Sequence, residues 1–113
     1  MAMADFFFKH NAQQELHKLR SLRPDIYKAF NAFSEAVFKD GALPNRTKQL
    51  IAIGVAHVTQ CPWCISGHTR AAKAMGISDE EIAEAIFVAM EMRAGAAYTH
   101  GSIAMEAAES HPR

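Results

Sequence analysis

Two cysteines and one histidine lie close enough in the sequence to act together. Cys61 and Cys64, the only cysteines in the chain, enclose Pro62 and Trp63, and His68 follows four residues after the second cysteine. Pro62 favours the first turn of a helix, because its missing N–H has no intrahelical partner there. Cys61 is then the N-cap. On this helix, spacings of three and four residues place the three reactive side chains on one face.

Such an arrangement favours thiol chemistry. The thiolate is the reactive form of cysteine, and both a helix N-terminus and a nearby imidazolium lower the pKa of a thiol. His68 can accept the proton of Cys64, or carry a positive charge beside its thiolate. The second cysteine makes a disulfide possible after oxidation. The pattern therefore predicts a catalytic dithiol.

The sequence supports other interpretations of the cysteines less well. A c-type haem site requires histidine directly after the second cysteine, where this chain has Ile65. A thioredoxin fold requires βαβ patterning, which is absent. Zinc stays open as an alternative, because the three side chains could be ligands and His57 or His100 a fourth. Inert core cysteines are the remaining alternative. We favour the dithiol, because structural zinc is typical of small domains with less apolar sequence than this one.

Two more histidines could border the site. His57 lies four residues before Cys61. Alone it would suggest a core histidine bonded to a backbone carbonyl, but its position one turn before the dithiol makes it a candidate site residue. His100, next to Gly101, could equally face the site or a subunit contact.

The composition limits the classes of function. The 113 residues are enough for one domain, 1–113, and half of them are hydrophobic. Twelve basic residues balance twelve acidic ones, so neither nucleic-acid binding nor anionic-membrane binding has its usual electrostatic basis. Residues 1–5 lack a positive signal-peptide region, and Phe6-Phe7-Phe8 is too short to span a membrane. We expect a cytoplasmic protein, in which a dithiol is more typical of catalysis than of a structural disulfide.

The hydrophobic pattern predicts an all-α, single-domain bundle of about six helices, because no period-2 alternation is long enough for a strand. The predicted helices cover residues 11–22, 24–39, 44–59, 62–75, 78–97 and 102–109.

Local signals mark the ends of these helices. We expect Asn11 to cap the first helix, Gly41 to end the second in the left-handed conformation, and Ser78 with Glu81 to form a capping box. Residues 98–101 suggest a kink or short break. Gly54, in the middle of a nearly all-apolar helix, suggests close approach of another helix.

The long apolar segments predict oligomerisation, because they exceed what one small bundle needs. We expect residues 6–8 to dock on a neighbouring helix or subunit.

Residues 48–57, followed by Cys61-Pro62-Trp63-Cys64 and His68, resemble the alkylhydroperoxidase D (AhpD) and carboxymuconolactone decarboxylase family. The resemblance covers roughly residues 25–105. It implies an AhpD-like all-α fold that assembles as a homotrimer or homohexamer, with the dithiol near subunit contacts. It implies no cofactor.

In the peroxidase branch of this family the second cysteine attacks a peroxide, and the first then forms a disulfide with it. The resemblance thus implies a peroxidatic Cys64, a resolving and proton-donating Cys61, and His68 as the base of a proton relay. The partners would be a peroxide substrate and a dithiol reductant, either a lipoyl group or a thiol protein. The N-cap position alone would favour Cys61 as the nucleophile, and we follow the family in choosing Cys64. The lactone chemistry of the decarboxylase branch is not defined by this dithiol and is not transferred.

The chain departs from the family pattern at one position. The relay glutamate of the family falls at position 49, where this chain has Gln49. Glutamine can hydrogen-bond His68 but cannot accept and pass on a proton as a carboxylate does. We therefore expect weaker peroxidase activity than in a relative with glutamate, or a relay completed by His57. The alternative function is a non-enzymatic or metal-binding helical assembly protein that retains the site.

Overall fold

A computed structural model describes residues 11–110, and these form five α-helices with no strand among them. The helices are α1 (Ala12–Leu22), α2 (Pro24–Phe38), α3 (Asn45–Thr59), α4 (Pro62–Ala74) and α5 (Asp79–Glu109). The predicted all-α class is confirmed. The predicted docking of residues 6–8 lies outside the described residues.

The predicted break at residues 98–101 is wrong, because α5 continues through it as one helix of 31 residues. The described chain therefore has five helices where about six were expected. The side chains of Thr99, His100 and Ser102 each bond a carbonyl three or four residues earlier, at 3.2, 2.8 and 2.9 Å. Polar side chains satisfied in this way are tolerated inside a helix. Gly101 costs only about 1 kcal/mol relative to alanine, which a long helix can absorb.

Of two further expected helix caps, one is confirmed in position only and the other is wrong. Asn11 occupies the N-cap of α1, but its side chain makes no capping hydrogen bond. Gly41 has no positive φ; left-handed backbone occurs instead at Gln60 (φ 59°) and Gly76 (φ 82°). Gln60 forms the turn between α3 and α4, and Gly76 follows α4. The helix α2 ends at Phe38 by passing into extended backbone.

The expected capping box at the start of α5 is confirmed. Ser78 Oγ accepts from the backbone N–H of Glu81, and Glu81 Oε1 accepts from that of Ser78, both at 3.1 Å. The Glu81 carboxylate also accepts from Arg46 Nη2 at 2.8 and 2.6 Å. These bonds, the Arg46 bond first, hold the pKa of Glu81 below its usual range. The cap thus joins the beginning of α5 to the beginning of α3.

The core is small and is centred on α3, which packs against both α4 and α5. Its central cluster consists of Ile53, Ala72, Ile77 and Ile82. Gly54 lies where α3 approaches α5: a Cβ built there would be 3.3 Å from the carbonyl oxygen of Ala85. The close approach expected of Gly54 is therefore confirmed, since that distance is tighter than ordinary van der Waals contact.

The peripheral helices extend away from this core. No residue of α1 or α2 is buried. The radius of gyration is 19.0 Å, compared with about 13 Å for a compact domain of similar length. Within residues 11–110, no helix has both the length and the apolar character needed to span a membrane.

The tight contact at Gly54 can be tested by substitution. We expect Gly54→Val to lower the free energy of unfolding by about 1–3 kcal/mol, because the added side chain would push α5 away. The matched control is Gly67→Val in α4, where a Cβ meets nothing within 4 Å. Denaturant unfolding at one fixed protein concentration measures both variants. Equal stability of the two would show that Gly54 is not a packing constraint.

Candidate active site

The dithiol lies at the N-terminus of α4, as the sequence predicts. Cys61 is the N-cap, and its Sγ accepts a hydrogen bond from the backbone N–H of Cys64 at 3.2 Å. Pro62 occupies the first position of the helix and is buried. The two cysteines form a disulfide, with Cα atoms 5.3 Å apart. A reversible bond between these two sulfurs is therefore compatible with the local helix geometry.

A hydrogen bond from α3 orients the imidazole of His68. Its Nδ1 lies 2.8 Å from Oε1 of Gln49, which is the one buried polar residue within residues 11–110, with 7 % of its surface exposed. An amide oxygen can only accept, so Nδ1 of His68 donates. In the neutral imidazole the other nitrogen, Nε2, then carries the lone pair and can act as a base.

The ring of Phe38 covers one face of the same imidazole. The two ring centroids are 5.1 Å apart and the planes differ by 23°, which is a stacked arrangement. Phe38 is the last residue of α2. The sequence does not predict this contact, because nothing local indicates which side chain the end of α2 will meet.

Two side chains of α3 hold the end of α2 in place. Lys48 Nζ donates to the carbonyls of Val37 and Lys39 at 2.7 and 2.6 Å. Asn45 Nδ2 donates to the carbonyl of Phe38 at 2.6 Å. We call these two side chains and the three carbonyls they bond the α2 clamp. The clamp was not predicted; the only available signal was a lysine and an asparagine shortly after a helix end.

Cys64 and His68 line one cavity of about 360 Å³. Lys48 and Thr59 supply its other polar side chains. The rest of the lining is apolar and comes from α2 and α3: Val37, Phe38, Ile51, Ala52, Val55 and Ala56. Cys61 is not among the lining residues. The second cysteine, and not the first, therefore meets the space in which a small molecule could approach His68.

His57 lies outside this cavity. Its Nδ1 is 2.7 Å from the carbonyl oxygen of Ile53 one turn earlier, and its ring is half-buried. This is the backbone-bonded arrangement that the sequence allows for an isolated core histidine. The structure thus brings Gln49, Cys64 and His68 together, whereas the role of His57 in a relay stays a prediction.

The side chains proposed as zinc ligands are not brought together in the part of the chain that the structure describes. Within residues 11–110, no group of three or more His, Cys, Asp or Glu side chains is arranged to hold a metal ion. His100 is exposed on α5, with Nδ1 2.8 Å from the carbonyl oxygen of Ala96. It lines a separate cavity with Arg93.

Comparison with known proteins identifies the family of the chain. The sequence model of the carboxymuconolactone decarboxylase family matches residues 24–107. The chain belongs to this family. The match includes all of α2, α3 and α4, which contain every residue that lines the cavity.

Individual proteins are also similar to this chain. A protein of Paracoccus denitrificans named "Uncharacterized protein 4 in cox locus" is 64 % identical over 77 residues, which cover 68 % of this chain and 69 % of the relative. A crystal structure of a carboxymuconolactone decarboxylase family protein from Legionella pneumophila, in its apo form, has a TM-score of 0.68 and 32 % identity, over 91 % of this chain and 92 % of that one. A structure from Methanobacterium thermoautotrophicum has a TM-score of 0.72 and 34 % identity, over 75 % of this chain and 96 % of its own.

Proposed function

We propose that the protein is a thiol-dependent peroxidase and disulfide reductase that acts through Cys61 and Cys64. One observation carries the proposal: the second member of a disulfide-forming pair shares a cavity with a histidine whose Nδ1 is already bonded. This chemistry requires three groups: a thiol that is accessible to substrate, a base beside it, and a second thiol close enough to form a disulfide.

The first step is oxidation of Cys64. His68 Nε2 accepts the proton of the Cys64 thiol, and the thiolate attacks the terminal, hydrogen-bearing oxygen of a hydroperoxide. The O–O bond breaks, Cys64 becomes a sulfenic acid, and the departing alkoxide takes back the proton held by His68 and leaves as an alcohol. Two electrons pass from sulfur to the peroxide. The apolar lining of the cavity suits the organic part of such a substrate.

The second step forms the disulfide. Cys61 attacks the sulfur of the sulfenic acid, the S–O bond breaks, and the oxygen leaves as water with the proton of the Cys61 thiol. As Cys61 attacks and loses this proton, the Cys64 N–H, which lies 3.2 Å from Cys61 Sγ in the disulfide form, stabilises the negative charge that develops on its sulfur, as expected at a helix N-terminus. The pair is then in the oxidised state that the structure shows.

A dithiol of the lipoyl type or a thiol protein regenerates the enzyme. One thiolate of the reductant attacks Cys64, and Cys61 leaves as a thiolate beside the same N–H. The second reductant thiol resolves the mixed disulfide, so the reductant ends as a disulfide and both cysteines as thiols. A reducing compartment such as the cytoplasm supplies these reductants, and we propose that location.

The proposal is tested by peroxide consumption with a panel of reductants that includes dihydrolipoamide. We expect turnover of an alkyl hydroperoxide by the natural chain and none by the Cys61→Ser, Cys64→Ser double variant, because both sulfurs are needed for a cycle. Equal rates in the two proteins would reject the dithiol mechanism and favour a non-enzymatic role.

The single variants assign the two cysteines within the same experiment. After one equivalent of peroxide, a sulfenic acid probe should label Cys61→Ser, in which Cys64 remains and cannot be resolved. It should not label Cys64→Ser. Label on Cys64→Ser alone would make Cys61 the nucleophile, in agreement with its position at the helix N-cap.

Replacing the buried amide should strengthen the relay. We expect Gln49→Glu to raise peroxide turnover by about tenfold or more, because a carboxylate beside His68 Nδ1 stabilises the imidazolium formed in the first step. Gln14→Glu, an exposed change of the same charge on α1, is the control and should have no effect. If turnover by Gln49→Glu does not rise, the missing carboxylate does not limit the reaction.

We also propose that the chain acts as a homotrimer or homohexamer. Large apolar side chains remain exposed along α5, including Phe87, Val88, Met90, Met92, Ile103 and Met105. An apolar groove of about 440 Å³ also lies between α3 and α5, lined in part by Val88 and Met92. Exposed apolar surface of this kind is typical of an interface between subunits.

Light scattering during size-exclusion chromatography tests the assembly. We expect three or six times the mass of one chain, and a smaller species for Val88→Glu, because the charge would enter an apolar interface. Met75→Glu, at an exposed methionine after α4, is the control and should assemble normally. A monomeric natural chain at micromolar concentration would reject the proposal.

A further inference from the structure

The α2 clamp bonds three successive carbonyls at the end of one helix. Lys48 reaches the carbonyls of Val37 and Lys39, and Asn45 reaches that of Phe38 between them. The last carbonyls of any helix lack intrahelical partners, and a cation there is also favoured by the helix dipole. Capping of the helix end alone would explain these bonds. The capped turn also carries a residue that contacts the candidate site.

That residue is Phe38, whose ring stacks on the imidazole of His68 at 5.1 Å. The stack joins α2 to α4 across the cavity. Apolar contact fixes its position only in part, because Phe38 is half-buried and no residue of α2 is fully buried. The polar bonds from Lys48 and Asn45 are therefore the specific contacts that set where the last turn of α2 lies.

From these contacts we propose that Lys48 is a positioning residue of the active site: by clamping the end of α2 it holds Phe38 against His68 and so fixes the plane of the imidazole. Gln49 restrains the same ring through Nδ1, but one hydrogen bond leaves rotation about that bond. The stacked ring removes this freedom, so Nε2 keeps one direction towards the cavity. The positioning of His68 by Lys48 does not depend on the peroxidase function. Only the claim that this direction of Nε2 aids catalysis rests on the proposed function.

A spectroscopic signature separates positioning from simple capping. The ring current of Phe38 shifts the NMR signals of the carbon-bound protons of His68, and Phe38→Leu supplies the unstacked reference. Loss of the His68 signals in His68→Gln identifies them among the six histidines. The measurement uses the disulfide form, which is the form that the structure shows.

We expect Lys48→Met to move the His68 signals towards those of Phe38→Leu. Lys48→Arg should keep them in place, because a guanidinium can donate to both carbonyls. Asn45→Ala removes one clamp bond without changing the charge, and should move them in the same direction. Lys28→Met, at an exposed lysine of α2, is the control. Unchanged signals in Lys48→Met, or no recovery in Lys48→Arg, would overturn the proposal.

The functional consequence is read from the reactivity of Cys64. In reduced protein carrying Cys61→Ser, we expect Lys48→Met to slow alkylation of Cys64 by iodoacetamide by about tenfold, a modest loss for a misplaced catalytic group. Lys48→Arg should restore the rate, and Asn45→Ala should slow it. Slowing in Lys48→Met but not in Asn45→Ala would make the lysine charge responsible and would overturn the positioning role.

These measurements also separate this proposal from the proposed function. Absence of peroxide turnover by the natural chain would end the peroxidase assignment while the NMR shifts and alkylation rates still decided the role of Lys48. Conversely, if the protein is an active peroxidase but its His68 signals do not change in Lys48→Met, the proposed function stands and the positioning role of Lys48 is rejected.

Discussion

The site depends on one hydrogen bond, from His68 to the buried amide of Gln49. It connects α4, which carries the dithiol, to α3, the central helix of the core. A buried polar group without a partner costs about 1–3 kcal/mol, and among the described residues no buried side-chain nitrogen or oxygen lacks one. The bond therefore gives the buried amide oxygen a partner and orients the imidazole in a single contact.

The core explains how α3 can hold this position. Ile53 of α3, one turn beyond Gln49, is fully buried with Ala72 of α4. The apolar contact sets the distance between the two helices, and the hydrogen bond then sets the rotation of the imidazole. α2 has no comparable apolar anchor, so its place beside the site depends on polar contacts that span the gap from α3. The cavity is therefore lined on one side by α3 and α4, which are fixed by the core, and on the other by α2, which is held more weakly.

The sequence predicts those features whose causes are local. Pro62 and Ser78 with Glu81 mark helix starts through contacts within a few residues, and both starts are confirmed. The break expected at residues 98–101 is wrong. Polar side chains there could have favoured a non-helical backbone, but they bond carbonyls of the preceding turn of the same helix instead. The stack of Phe38 on His68 joins positions 30 residues apart. Such a contact follows from how α2 packs, and no local pattern contains that information.

Gln49 shows how burial and catalysis place opposite demands on one position. A carboxylate there would favour proton transfer to His68, but before the thiol loses its proton the imidazole is neutral and the carboxylate would be a buried charge without a counter-charge. That state is expensive. The amide avoids the cost and holds the same tautomer, because its oxygen still accepts from Nδ1. Because the amide has no negative charge, however, it does not stabilise the imidazolium as a carboxylate would. In the mechanism that we propose, the chain therefore keeps the geometry of a proton relay while lowering its driving force, so catalysis would depend more heavily on how well the ring is oriented.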